Sequence, residues 1–259
     1  MPEMLEVERY RLAAERAVGR EIAAVSAPDA WFLKRGLTPP EVTAALVGAT
    51  VRGVRRRGKL LLLDVDDAVL GLRFGMTGRL VIDGAAAIDE LEYSSGRDHP
   101  DWDRFALTFT DGGVLRMNDP RRLGGVELDP VEDRLGSDAL AVTEGQLRAL
   151  LAGSRAPLKT RLMDQARVAG IGNLLADEIL WRAGLDPARP AGELDRAEVR
   201  RLHRAMRRTL TQLGERGGSH LGDLQDARVA GGVCPRDGAP LERRTIGGRT
   251  TYSCPVHQR

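Results

Sequence analysis

A secondary amine, a carboxylate and a rare lysine stand where they could act on an aldehydic carbon. The chain opens Met1-Pro2-Glu3. Methionine before proline is normally removed, and the freed Pro2 nitrogen, with an α-amino pKa of about 8, keeps a free-base fraction near neutrality. Such an amine attacks an aldehydic carbon to form an iminium, and Glu3 beside it can move the accompanying proton. Taken alone, Met-Pro-Glu is a common start. Lys59 closes Arg55-Arg-Arg-Gly-Lys59 and is one of three lysines, with Lys34 and Lys159, among 39 basic residues. Where a proton must be transferred, guanidinium cannot replace an amine, so the lysines that survive this arginine bias are candidates for chemistry.

Three further stretches suit ligands. Gly170-Ile-Gly-Asn173 allows a tight turn with Asn173 capping the helix behind it, and a helix amino terminus fed by such a turn seats phosphate. Alone it would be an ordinary interhelical connection. Cys234-Pro-Arg-Asp237 and Cys254-Pro-Val-His257 twice place two potential ligands at the x-x spacing of a zinc knuckle. With Asp and His completing the set, a zinc site and a zinc-less hairpin both stay open. Arg55 to Lys59 and Asn118-Asp-Pro-Arg121-Arg122-Leu-Gly124 put basic residues at turns, where they line either a polyanion groove or a solvated rim.

The elements that must position these residues change character along the chain. Its 259 residues, with 39 Lys+Arg against 37 Asp+Glu and 42% hydrophobic, describe a soluble globular protein of one large or two modest domains and exclude disorder and collagen. Aromatics are 4% of the residues, so the core must come from Leu, Val, Ile and Ala. The longest apolar run, around Leu60 to Leu63, is far short of the ~20 residues of a membrane span. No leader is evident, and a cytoplasmic location is expected. Two cysteines confined to the end of the chain favour a local site over a disulfide framework.

Helical periodicity covers Val7 to Val18 and Glu41 to Leu46. A short segment, Glu21 to Val25, follows the first helix, and strands are predicted over Thr50 to Val54, Lys59 to Val65, Ala68 to Leu72, Arg79 to Ile82, Phe105 to Phe109 and Val114 to Asn118, a spacing that suits a sandwich or barrel. After Asp129-Pro130 the pattern turns helical, with segments over Thr143 to Ala152, Ala156 to Asp164, Leu174 to Ala183 and Arg196 to Leu213. That shift sets a domain boundary near residue 130, and from Arg228 on a small hairpin is expected.

In order and spacing these motifs resemble the formamidopyrimidine-DNA glycosylase and endonuclease VIII family. The resemblance covers essentially the whole chain. It rests on Pro2-Glu3 with Leu5-Glu6-Val7-Glu8, Arg57-Gly58-Lys59, Met76-Thr77-Gly78-Arg79-Leu80, Asp119-Pro-Arg-Arg, Leu162-Met163-Asp164 leading to Gly170-Ile-Gly-Asn173, and Ile246-Gly-Gly-Arg249-Thr250-Thr251 before Cys254. It implies an α+β protein in three parts: a catalytic β-sandwich with flanking helices over 1–130, a helix-two-turn-helix DNA-binding domain over 131–227, and a zinc-finger-like hairpin over 228–259. It also implies a monomeric base-excision repair enzyme acting on damaged double-stranded DNA as glycosylase and abasic-site lyase.

By that resemblance Pro2 attacks C1′ of the damaged nucleotide and forms a Schiff base, while Glu3 is its acid/base partner. Lys59 assists β-elimination, and Arg249 at the hairpin tip grips phosphate and supports δ-elimination. Lys159 and Asn173 anchor phosphate, and Met76, Arg121 and Leu123 fill the void left by the extruded base. Cys234, Asp237, Cys254 and His257 match the zinc ligands.

Several positions depart from the family pattern. Leu123 stands where Phe is common, which weakens the wedge. Asp237 and His257 replace cysteines, and Trp102 stands where a phosphate-contacting His is frequent. The stretch from Gly217-Gly218 to Cys234 is shorter than the loop that caps an oxidised purine, so oxidised pyrimidines, ring-opened purines or abasic sites are expected over 8-oxoguanine. The alternative to an enzyme is a damaged-DNA-binding clamp that has lost base excision.

Overall fold

Short apolar strands, some continuous runs such as Leu60 to Leu63 and some alternating such as Phe105 to Phe109, build the first half of the molecule. The computed structural model describes residues 2–88, 91 and 96–259, and the chain divides into two compact units, Met1–Glu132 and Asp133–Arg259. Met1, whose removal would free Pro2, lies outside the described residues.

In the first unit β2 (Val51–Arg57), β3 (Leu60–Val65), β4 (Ala68–Arg73) and β9 (Gly125–Leu128) form one antiparallel sheet. The other runs β1 (Ile22–Ser26), β7 (Asp103–Phe109), β8 (Val114–Asn118), β5 (Arg79–Ile82) and β6 (Ala85–Ala86). Phe105, Leu107 and Phe109 alternate inward from β7 and share a core with Leu61, Leu63 and Leu72 of the opposite sheet. Two sheets burying one apolar layer make a sandwich, with α1 (Met4–Ala14) and α2 (Pro39–Leu46) contributing Val7, Tyr10, Val42 and Leu46 to it.

The second unit is helical: α3 (Glu144–Leu151), α4 (Leu158–Met163), α5 (Asn173–Ala183) and α6 (Arg196–Arg216), with β10 (Ser137–Asp138) bridging β11 (Val168–Ala169) in parallel. Helix α5 is buried nearly all round and stops at Gly184, whose φ of 65° gives the left-handed cap that glycine tolerates. Helix α6 opens on Asp195 with a reciprocal Glu198 capping box and buries Leu202, Met206, Leu210 and Leu213 on one face. The hairpin of β12 (Glu242–Ile246) and β13 (Arg249–Ser253) packs within this unit, where Trp181, Leu224, Cys234 and Cys254 share a small core. The sequence sets 228–259 apart, yet two strands alone bury too little to stand free.

Some element boundaries differ from those expected. Helix α1 starts at Met4 rather than Val7, because Glu6 reaches back to the Glu3 amide at 2.8 Å and completes a capping box. Helix α6 runs on to Arg216, and α4 is shorter than its pattern. Strand β9 lies outside the strands expected from the sequence; its Glu127 is buried and paired with Arg73 at 2.7 Å and Arg35 at 2.8 Å. Among the described residues no helix is long and apolar enough to cross a membrane.

Candidate functional site

The capping of α1 decides where Pro2 and Glu3 lie. Glu3 takes the N-cap position and is fully buried, and Pro2 just ahead of it is buried too. Lys59 sits in the two-residue turn joining β2 to β3, where Gly58 takes φ 59° and Arg57 pairs with Leu60. Arg56 of the same hairpin donates to Glu8 of α1 at 2.8 Å and to the Gly58 carbonyl at 2.9 Å. The helix carrying Glu3 and the turn carrying Lys59 are therefore tied to one another by an ion pair whose arginine is almost fully covered.

Met76, Arg121 and Leu123 come from two loops that are clasped together. Asp119, wholly buried, accepts from the Thr77 hydroxyl at 2.6 Å, from the Gly124 amide at 2.8 Å and from the Arg121 amide at 3.2 Å. Gly75 lies so close to the Leu123 backbone that a Cβ there would fall 2.4 Å from its carbonyl carbon. Arg122, at φ 56°, is pinned outside by Asp29 at 2.5 and 2.6 Å. That hydrogen-bonded ion pair holds the Asp29 carboxyl below its usual pKa. Leu123 is left half exposed at the tip. Trp102 is partly buried and uses its carbonyl to accept the Asp119 amide at 2.8 Å, so it buttresses this turn through its backbone.

In the second unit Arg249 is exposed at the end of a Gly247-Gly248 turn, both glycines having positive φ, 58° and 72°. A Cβ on Gly247 would meet the Thr160 hydroxyl of α4 at 2.5 Å, so the tip rests on that helix. Asn173 is the first residue of α5 and not its cap, which is Gly172; its Nδ2 donates to the Thr250 carbonyl at 3.1 Å.

Lys159 is placed otherwise than the family pattern implies. Its side chain has no exposed surface. Its ammonium donates to Thr251 Oγ1 at 2.8 Å and the Thr250 carbonyl at 3.1 Å, and lies 2.7 Å from Asp177 Oδ1 as a charge contact without an aligned hydrogen bond. Three internal oxygens thus take the group intended for phosphate. In this structure Lys159 acts as an internal strut that fixes the hairpin strand behind Arg249. Asp177 also takes Arg228 at 3.1 Å and the Tyr252 amide at 3.3 Å. Burial pushes its carboxyl pKa up while the two cations pull against that rise.

Asp119 and Asp177 carry structural roles that the sequence motifs alone do not assign. For Asp177 the signal is an acid directly behind Leu174-Leu175-Ala176 on a largely apolar helix, which demands buried partners.

The ligand atoms of Cys234, Asp237, Cys254 and His257 all lie within 4.8 Å of one another. Cys234 Sγ is 3.7 Å from His257 Nδ1, and Cys254 Sγ is 3.3 Å from Asp237 Oδ2. Those separations suit ligands of one tetrahedral ion. His257 Nε2 faces the Trp181 carbonyl at 3.2 Å, which orients the ring so that Nδ1 points into the cluster. The Trp181 indole and the Arg236 amide donate to Cys234 Sγ at 3.3 and 3.4 Å, as groups around a thiolate do. The cluster can hold a metal.

The chain matches the formamidopyrimidine-DNA glycosylase N-terminal domain over residues 1–126 and the formamidopyrimidine-DNA glycosylase H2TH domain over residues 135–223. It is 35% identical to a formamidopyrimidine-DNA glycosylase of Laribacter hongkongensis over 285 positions, and 38% identical to one of Xanthomonas euvesicatoria over 286, each alignment covering both chains fully. Among solved structures it is similar to Lactococcus lactis Fpg with DNA containing an abasic site (26% identity, TM-score 0.84) and with DNA containing an oxidized pyrimidine (27%, 0.85), again over the full length of both chains. The chain belongs to the formamidopyrimidine-DNA glycosylase family.

Proposed function

We propose that this DNA glycosylase and abasic-site lyase of base-excision repair works through Pro2. The supporting observation is Glu3, fully buried at the N-cap of α1 directly behind Pro2, with the Lys59 turn tied to the same helix through Arg56 and Glu8. A carboxyl fixed there can exchange a proton with the sugar as the Pro2 nitrogen bonds C1′ and the base departs, leaving an iminium. Lys59 then assists β-elimination, and Arg249 holds phosphate and assists δ-elimination. Asn173 adds a backbone contact, and Met76, Arg121 and Leu123 fill the gap in the duplex. A clamp that only bound DNA would have no use for an amine beside a buried carboxyl, which favours the enzyme over the binding protein. The place of action is with DNA, in the cytoplasm or nucleoid.

For substrate we favour oxidised pyrimidines, ring-opened purines and abasic sites. An alignment of 285 positions over a chain of 259 residues leaves about 26 positions filled only in the relative, in keeping with a short segment after Gly217-Gly218. Zinc is the ion that suits Cys234, Asp237, Cys254 and His257: two thiols, an oriented imidazole and a carboxylate. Its chemistry there is structural, holding two knuckles together beneath the hairpin.

Borohydride trapping tests the reading on duplexes carrying an abasic site or a panel of oxidised bases. A covalent adduct mapping to Pro2, absent in Pro2→Gly while DNA binding persists, is expected. Binding without any adduct on abasic DNA would return the protein to the non-catalytic clamp.

A further inference from the structure

At the end of α5 away from Asn173, roughly 12 Å along the helix axis at 1.5 Å per residue, a cleft of about 680 Å³ opens against α6 and the first knuckle. Its lining includes Arg182, Arg201, Arg204, Arg208, Arg216 and Arg236, with Asp223 the one acid among the lining residues. Positions 201, 204 and 208 fall on one face of α6, opposite its buried Leu202, Met206 and Leu213.

The charges in this cleft divide into two groups. Arg182 is matched by Glu178 at 2.6 Å and Asp223 at 2.7 Å, and Arg216 by Asp223 at 2.5 Å. Arg201 donates to the Ala183 carbonyl at 2.8 Å and stands 3.8 Å from Glu198. Arg204, Arg208 and Arg236 have no carboxylate within ion-pair distance among the described residues. Unmatched guanidiniums gathered in one concavity repel each other, and a polyanion relieves that repulsion.

We propose that this cleft is a second nucleic-acid seat, taking the phosphodiester backbone of a DNA segment other than the one engaged at Asn173 and Arg249. Guanidinium forks fit phosphate oxygens in pairs. Arg201 to Arg208 covers roughly 10 Å of helix, against one charge about every 3.4 Å along a DNA strand. An acidic peptide would want an apolar anchor as well, and the cleft's one aromatic, Trp181, is only 8% exposed. The inference uses the second unit alone and stands whether or not Pro2 is the nucleophile.

The test saturates the full-length protein with an unlabelled duplex containing a stable abasic analogue, then titrates a fluorescein-labelled undamaged duplex by anisotropy at several salt concentrations. The labelled duplex is expected to bind the preformed complex. In Arg204→Gln/Arg208→Gln that binding should weaken about tenfold and its salt slope fall by about 2, with affinity for the abasic analogue unchanged and Arg204→Lys/Arg208→Lys largely retained. Failure of the wild-type complex to take a second duplex overturns the proposal. So does equal loss of abasic-analogue affinity in the Gln variant, or a polyglutamate peptide that binds the cleft and that DNA cannot displace.

Discussion

The loops of the first unit and the hairpin of the second both present side chains outward, and they are made rigid by opposite means. In the first, a two-sheet apolar core supports the Met76 and Leu123 loops, and one buried acid, Asp119, joins them through a hydroxyl and two amides. In the second, the two strands carrying Arg249 have little core of their own. They are held by Lys159, Asp177 and Arg228 on one side and by the Cys, Asp, Cys, His cluster on the other. A large core lets polar groups act as local clasps, whereas a small hairpin must be anchored by buried charge and by clustered side chains able to hold a metal.

That contrast is broken most directly at the metal cluster. Structural zinc contributes on the order of 10 kcal/mol to isolated fingers, so Cys234→Ser should lose about one zinc per chain and melt the second unit's hairpin first. Atomic absorption and hydrogen exchange check both, and a metal-free wild type of unchanged stability would contradict it. Next, Lys159→Met leaves Asp177 short of a buried cation and should cost about 3–5 kcal/mol in urea denaturation. Because Lys159 acts through the hairpin, δ-elimination should fall in that variant while borohydride trapping at Pro2 is retained. Loss of trapping to the same extent would count against a positioning role.

Smaller effects are expected in the first unit. Asp119→Ala strands a hydroxyl and two amides and should cost roughly 2–3 kcal/mol, with weakened binding to lesion duplex but an unchanged melting signal from the hairpin. The smallest is Asp29→Asn, about 0.5–1 kcal/mol given how exposed its arginine partner is. Asp29 is depressed in the folded state, so its contribution is complete above the ordinary Asp value of about 4 and disappears as pH falls through the lowered one. Denaturation midpoints of wild type and variant should differ at pH 7 and converge in strong acid.

Much of the arrangement was legible from local pattern. The Gly58-Lys59 and Gly247-Gly248 turns and the paired knuckle residues depend on neighbours in sequence, and each stands where spacing placed it. Strand β9 and the start of α1 were harder. Glu127 is buried by arginines 54 and 92 residues away, and Glu6 caps α1 only because the backbone turns extended at Glu3. The internal partners of Lys159 were not legible either, because nothing beside it in the chain announces Asp177, Thr250 or Thr251.

Sequence by itself determined the types of reagent this protein carries: an amine beside a carboxyl, a lysine on a tight turn, an arginine on a glycine turn and four ligands in two knuckles. Tertiary structure alone decided which charges face outward and which are spent inside. The physical reason is that a local turn is set by torsion angles of adjacent residues, whereas the fate of a charge depends on burial and on partners brought in from distant segments. Lys159 and Arg249 are both cationic in the sequence; the fold makes one a buried strut and leaves the other exposed at the hairpin tip.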